Sequence, residues 1–179
     1  GDTTCYSYDI RGRKTAEYGT AIQPACFVYD DNDHMIALTT FRADEGDIIT
    51  DPSSRTDGDT TTWLYDTATG LEFKKIYADG SSTVKTYDKL NRLETLTKAR
   101  GIVTTYQYAP ATGELVSVSH SDDTQPWIYS YNHLGQAISV SDASGTREFC
   151  YDAYGRTQQN NSFGTVESCI QEDYDSFGR

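Results

Sequence analysis

Methionine is nearly absent from this chain, histidine is scarce, and apolar residues never gather into a long run. There is one Met and there are three His in 179 residues. No stretch approaches the twenty or so apolar residues that a membrane-spanning helix needs, so no membrane insertion is expected. Ala-Leu-Lys-Glu runs are also few, which argues against long helices. His34, His120 and His133 lie far apart with no metal-ligand spacing, and His34 and His133 fall in expected turns, in solvent. No Gly-x-Ser-x-Gly elbow occurs, and no Ser-His-Asp set stands out, so no catalytic residue, metal or cofactor is called for. Basic residues are outnumbered: 15 Lys and Arg face 27 Asp and Glu, for a net charge of -12. Such a surface repels phosphate backbones, which excludes nucleic acid as a partner. No secretion signal is legible either; the opening "GDTTCYSYD" and the closing Gly178-Arg179 both fall within a repeat, so a segment of a larger protein is expected.

What is present is strand and turn chemistry. The 14 Tyr, 14 Gly and abundant Thr and Ser suit short strands joined by tight turns. A phrase of the form Tyr-Asp-x-x-Gly-Arg recurs, as "YDIRGR", "YDKLNR", "YNHLGQ", "YDAYGR" and "YDSFGR". Its Tyr anchors are Tyr8, Tyr29, Tyr65, Tyr87, Tyr108, Tyr131, Tyr151 and Tyr174, separated by 21, 36, 22, 21, 23, 20 and 23 residues. The long step contains an insertion at about 42–62, rich in Asp, Gly, Ser and Thr, which reads as a solvated loop leaving the sheet.

Each position in the unit has a physical reading. Two residues before the anchor stands Tyr6, Phe27, Trp63, Tyr106, Tyr129 or Phe149, and side chains two apart share a strand face. Lys85 and Glu172 interrupt this series, so their strands should pack less deeply. After the anchor come Asp9, Asp30, Asp66, Asp88, Asp152 and Asp175, with Asn132 and Ala109 as variants, suited to opening a turn. Gly12, Gly70, Gly113, Gly135, Gly155 and Gly178 follow, with Asp33 and Asn91 in the same role of tolerating positive φ. Arg13, Arg92, Arg156 and Arg179 close the phrase, and His34 and Gln136 in their place read as drift. Two copies, "YDTATGL" and "YAPATGEL", carry a turn one residue longer. A second turn at Gly80, Gly101, Gly145 or Gly164 leads back to the next anchor, so each unit is two strands and two turns.

This phrase, its spacing and its aromatic partner resemble the YD repeats of Rhs-family proteins across nearly the whole chain. The resemblance implies an all-β fold of repeated antiparallel hairpins in a curved, twisted, extended sheet, a fragment of a spiralling shell. It implies wall material of a bacterial secreted or surface protein, enclosing a C-terminal toxin cargo that is not in this chain. The partners it implies are the rest of the parent chain and that cargo. Adhesion to a glycan or to another cell's protein is the alternative, with Trp63 and Trp127 as candidate ligand platforms.

Two further expectations concern side-chain clusters. The acids Asp44, Glu45, Asp47, Asp51, Asp57 and Asp59 make the insertion a better calcium candidate than the repeat Asp residues, but their spacing matches no EF-hand. Cys5, Cys26, Cys150 and Cys169 are expected to stay reduced. Equivalent positions in successive units lie two strands apart, about 10 Å, whereas a disulfide needs Cα atoms within about 7 Å. Unpaired first and last strands should make the isolated segment self-associate.

Overall fold

The computed structural model describes residues 1–42, 50–164 and 167–175. Among them there is no α-helix. The chain is a succession of antiparallel strands whose order in the open sheet is their order in the sequence. It divides into two units, Gly1–Lys85 and Thr86–Arg179.

The first unit holds β1 (Thr4–Tyr8), β2 (Lys14–Gly19), β3 (Ala25–Tyr29), β4 (Met35–Thr40), β5 (Asp59–Tyr65), β6 (Glu72–Ile76) and β7 (Ser82–Tyr87), whose last two residues belong to the second unit. The second holds β8 (Leu93–Thr97), β9 (Val103–Tyr108), β10 (Leu115–His120), β11 (Trp127–Tyr131), β12 (Ala137–Asp142), β13 (Gly145–Tyr151), β14 (Thr157–Gly164) and β15 (Ser168–Gln171). Threonine explains much of the strand content. Its branched side chain suits a pleated sheet, and hydroxyls meet across strands at Thr39–Thr60, 2.9 Å, and Thr86–Thr95, 2.7 Å.

The repeat phrase sets the strand boundaries. Strands β1, β3, β5, β7, β9, β11 and β13 each end on the anchor Tyr, and the next strand starts one residue past the Arg position. The turn between them has the same backbone bonds in each short copy: Asp9 N–H donates to the Arg13 carbonyl and Gly12 N–H to the Asp9 carbonyl. Gly12 sits at φ +79°, and Asp33 and Asn91 take the same left-handed conformation at +67° and +61°. In the two longer turns Gly70 and Gly113 bond back to Asp66 and Ala109, four residues away instead of three.

Two features of the ladder recur. Six of the hairpins shift register at the anchor, leaving Thr15, Ile36, Phe73, Val116, Ile138 and Gln158 as the extra residue of a bulge. Between hairpins, every ladder stops three residues short of the next anchor, as at Cys26 before Tyr29, Ile128 before Tyr131 and Glu148 before Tyr151. The turn ends of neighbouring hairpins are therefore not joined by strand pairing.

The insertion corrects the sequence reading. Asp44, Glu45 and Asp47 lie outside the described residues. The rest is solvated only in part: Ser53, Ser54, Thr56 and Asp57 are exposed, but β5 already begins at Asp59, and Pro52–Ser54 form a short 3-10 turn packed against β2 and β3. Phe41 and Pro52 are fully buried, with the Arg55 guanidinium 5.0 Å from the Phe41 ring, and Ala16 of β2 is itself fully covered. Asp51 anchors the turn. It accepts from the Ser53 hydroxyl, from the Ser7 hydroxyl at 2.5 Å and from Ser53 N–H at 2.9 Å, bonds that lower its pKa in that order. Asp57 pairs with Arg55 at 2.9 Å, so these two carboxylates do not converge. Among the described residues no group of three or more His, Cys, Asp or Glu is placed to hold a metal ion. The four cysteines are free thiols, and burial pushes the Cys26 thiol pKa up.

Truncating Phe41 to Ala should cost about 3–5 kcal/mol, because the side chain fills the space between the insertion and the sheet. Urea unfolding of the variant measures it; a cost near zero would mean the insertion is not part of the core.

Candidate functional site

The most elaborate polar arrangement in the molecule is built at the turn end of each hairpin. It begins with a carboxylate. Asp9 Oδ1 accepts from the Arg11 and Arg13 N–H groups, both at 2.9 Å, and Oδ2 accepts from Arg13 Nε at 2.7 Å. Asp88 does the same with Leu90 and Arg92, and Asp152 with Tyr154 and Arg156. A carboxylate that accepts several donors is held in its charged form. The Asp9, Asp88 and Asp152 pKa values accordingly fall below the ordinary 3.8, chiefly through the backbone N–H of the following Arg and then through its guanidinium.

The copies lacking Arg preserve this geometry, which corrects the reading of His34 and Gln136 as drift. His34 Nδ1 lies 3.0 Å from Asp30 Oδ2, and the His34 N–H donates to Asp30 Oδ1. Where Gln136 replaces Arg, the Asp is replaced as well: Asn132 Nδ2 donates to Gln136 Oε1 at 2.9 Å, and Gln136 N–H donates to Asn132 Oδ1. An ion pair has become an amide pair that joins the same two positions with the side-chain donor and acceptor exchanged. His34 is not a solvated turn residue, since its ring stacks on Tyr65 at 4.5 Å and 15°; His133 is exposed.

The closing side chain also reaches forward to the next repeat. Arg13 Nη1 donates to the Asp30 carbonyl at 2.8 Å, Arg92 Nη1 to the Gly113 carbonyl at 3.3 Å, and Gln136 Nε2 to the Gly155 carbonyl at 3.0 Å. Its planar group lies over the next anchor ring: Arg13 over Tyr29 at 4.9 Å, Arg92 over Tyr108 at 4.2 Å, and Arg156 over Tyr174 at 4.2 Å. The anchor hydroxyl bonds backward. Tyr65, Tyr108, Tyr131, Tyr151 and Tyr174 donate to the carbonyls of Met35, Leu93, Leu115, Ala137 and Thr157, each at 2.7–3.0 Å. Each of those carbonyls belongs to the residue just after the closing position of the preceding repeat. Burial raises the Tyr65, Tyr108 and Tyr131 pKa values. Together, the tyrosine and the closing residue join hairpins where strand pairing stops.

The sequence reading placed these residues correctly in the repeat but assigned them only turn and packing roles. Two signals carried the rest. Asp and Arg stand four apart, and both change together to Asn and Gln. The anchor is Tyr in all eight copies, whereas the position two before it holds Tyr, Phe, Trp, Lys or Glu; a hydroxyl with a partner, seen at five anchors, accounts for that difference there. Asp66 departs, since its carboxylate is taken by Thr69 and Ala68 within the longer turn. Tyr8 is 60% exposed. Gly178 and Arg179 lie outside the described residues, so the closing pair of Asp175 is not seen.

The two tryptophans are in different settings. Trp63 is partly covered, with Lys75 Nζ 5.1 Å from its ring centre and 5.0 Å from that of Tyr77. Trp127 is 49% exposed and borders a groove with Tyr106 and Tyr129.

No family model and no curated protein matches the chain. Among solved structures, a crystal structure of TcdB2-TccC3-TEV is similar at 15% identity, covering 96% of this chain with a TM-score of 0.45. One of TcdB2-TccC3-Cdc42 is similar at 17% identity over 99% of this chain, TM-score 0.42. A Tc holotoxin pore from Photorhabdus luminescens is similar at 13% identity over 99%, TM-score 0.26. This chain spans 12% of the length of each of the first two and 15% of the third.

Replacing Tyr108 or Tyr131 by Phe removes one hydroxyl bond and should cost about 1 kcal/mol in each case. In a double-mutant cycle on Asp88→Asn and Arg92→Gln, the double variant should be more stable than the two single losses predict, because it recreates the amide pair of Asn132 and Gln136; strict additivity of thermal midpoints would argue against a closed pair. The pH dependence follows from the same groups. The unfolded chain protonates its Asp residues first as pH falls, so the stabilisation is full above the ordinary 3.8 and is lost as pH drops through the lower folded values. Buried Tyr works at the other end: its stabilisation is full below the ordinary 10.0 and is lost as pH rises through the higher folded values. Urea midpoints across pH should fall off on both sides of that window.

Proposed function

We propose that the chain is non-enzymatic wall material: a segment of shell in a large bacterial secreted or surface-attached protein, enclosing and delivering a toxin cargo. One observation carries this reading. The distinctive side chains of the repeat, Tyr, Asp and Arg, are committed to one another and to the neighbouring repeat. A unit whose chemistry is directed at its neighbours builds an extended object by addition and needs no cleft. The resemblance of the phrase to YD repeats supplies the rest of the proposal: more repeats, a cargo domain, and sequestration by steric enclosure.

Surface adhesion is the second reading, supported by the half-exposed ring of Trp127. The two separate by experiment. In the full parent protein, the polypeptide following the repeats should resist protease and become digestible when several Arg–Asp pairs are removed together. Digestion at the rate of the isolated polypeptide would exclude enclosure. Trp127-dependent retention of this chain on a glycan array would favour adhesion. By itself the chain should self-associate through the outer edges of β1 and β15; a strictly monomeric mass in light scattering at high concentration would count against that.

A further inference from the structure

The groove beside Trp127 lies wholly within the second unit and has a volume of about 400 Å³. Strand register builds it. Val118 is the cross-strand partner of both Tyr106 and Trp127, so one small residue lies between two large rings on a row across β9, β10 and β11. Val118 is nearly covered, and Thr104 beside it is 3% exposed. The result is an apolar floor between aromatic walls. None of the repeat's joining bonds involves Val118, Trp127 or Lys98; of the lining residues only Leu115 takes part in one, through its backbone carbonyl.

Its chemistry is selective. The polar residues that line it are Lys98, His120 and Thr104, with the Tyr hydroxyls, and no Asp or Glu lines it. That is notable in a chain with net charge -12. Thr104 Oγ1 and His120 Nδ1 lie 3.1 Å apart and satisfy each other. Asp122 caps its own turn through Thr124 N–H at 3.1 Å. The cation left to meet a ligand is Lys98, on the turn between β8 and β9.

We propose that this groove binds a small amphipathic anion: a flat aromatic ring bearing a carboxylate or sulfonate. The ring would lie between Trp127 and Tyr106 over Val118, and the anionic group would pair with Lys98. Aromatic walls favour a flat apolar ring, and the basic end complements an anion. A neutral sugar fits less well, because its many hydroxyls need hydrogen-bond partners that a mostly apolar trough does not supply. The inference is independent of the wall reading, since a shell segment and an adhesin would carry the groove alike.

Naphthoate is the probe. A Trp63→Phe background leaves Trp127 as the sole tryptophan, so its fluorescence reports the groove, with calorimetry as the second readout. Saturable binding is expected. Stacking loss in Trp127→Ala should weaken it about ten-fold by calorimetry. Loss of an exposed charge partner in Lys98→Ala should weaken it about three-fold. The neutral analogue naphthalene methanol should bind more weakly than naphthoate and be indifferent to Lys98→Ala. Absence of saturable binding, equal affinity for the neutral analogue, or displacement of naphthoate by an uncharged oligosaccharide would each overturn the proposal. If Trp127→Ala fails to fold by circular dichroism, Lys98→Ala with the charged and neutral pair still decides, because Lys98 is an exposed turn residue.

Discussion

Between neighbouring hairpins the backbone ladder runs out three residues before the anchor tyrosine, and the structure depends on how that gap is closed. Without strand pairing, the turn ends would be free to fray. They are held instead by side chains: a tyrosine hydroxyl on the carbonyl behind it, and ahead a guanidinium laid over the next tyrosine and bonded to the next turn, an imidazole stacked on that tyrosine, or an amide bonded to that turn. The bonds run in both directions along the chain, backward from the tyrosine hydroxyl and forward from the closing side chain.

This arrangement explains which substitutions the repeats tolerate among themselves. In the short turns the closing position holds Arg, His or Gln, each a flat polar group that meets its own Asp or Asn partner. Its partner accepts Asp or Asn because each offers an oxygen to two backbone N–H groups. The ion pair itself is replaceable, as expected where both charges are partly solvated and attraction is modest. At the five anchors whose hydroxyl is bonded, phenylalanine would leave a carbonyl beyond the last rung of the ladder without that partner.

Much of the fold was legible. The 20–23-residue period, the strand ends at each anchor, the positive-φ turn positions and the longer turns at Asp66 and Ala109 all follow from local rules about turns and alternation, which act within a few residues. The insertion was not legible. Its polar composition reads as a solvated loop, yet Pro52 is buried in a turn packed against β2 and β3, strands more than twenty residues away. The groove at Trp127 was half legible: an exposed tryptophan could be suspected, but not which strands would place Val118 between two rings.

By itself, then, the sequence determined the repeat: its period, its hairpins and its turn chemistry, because hydrogen bonding within a turn and side-chain alternation along a strand are short-range. The tertiary structure alone decided what the repeated side chains do. Whether an arginine meets solvent, its own aspartate or the next tyrosine depends on the register between hairpins and on where the ladder stops. Those follow from pairing across the sheet, which no single copy of the phrase contains.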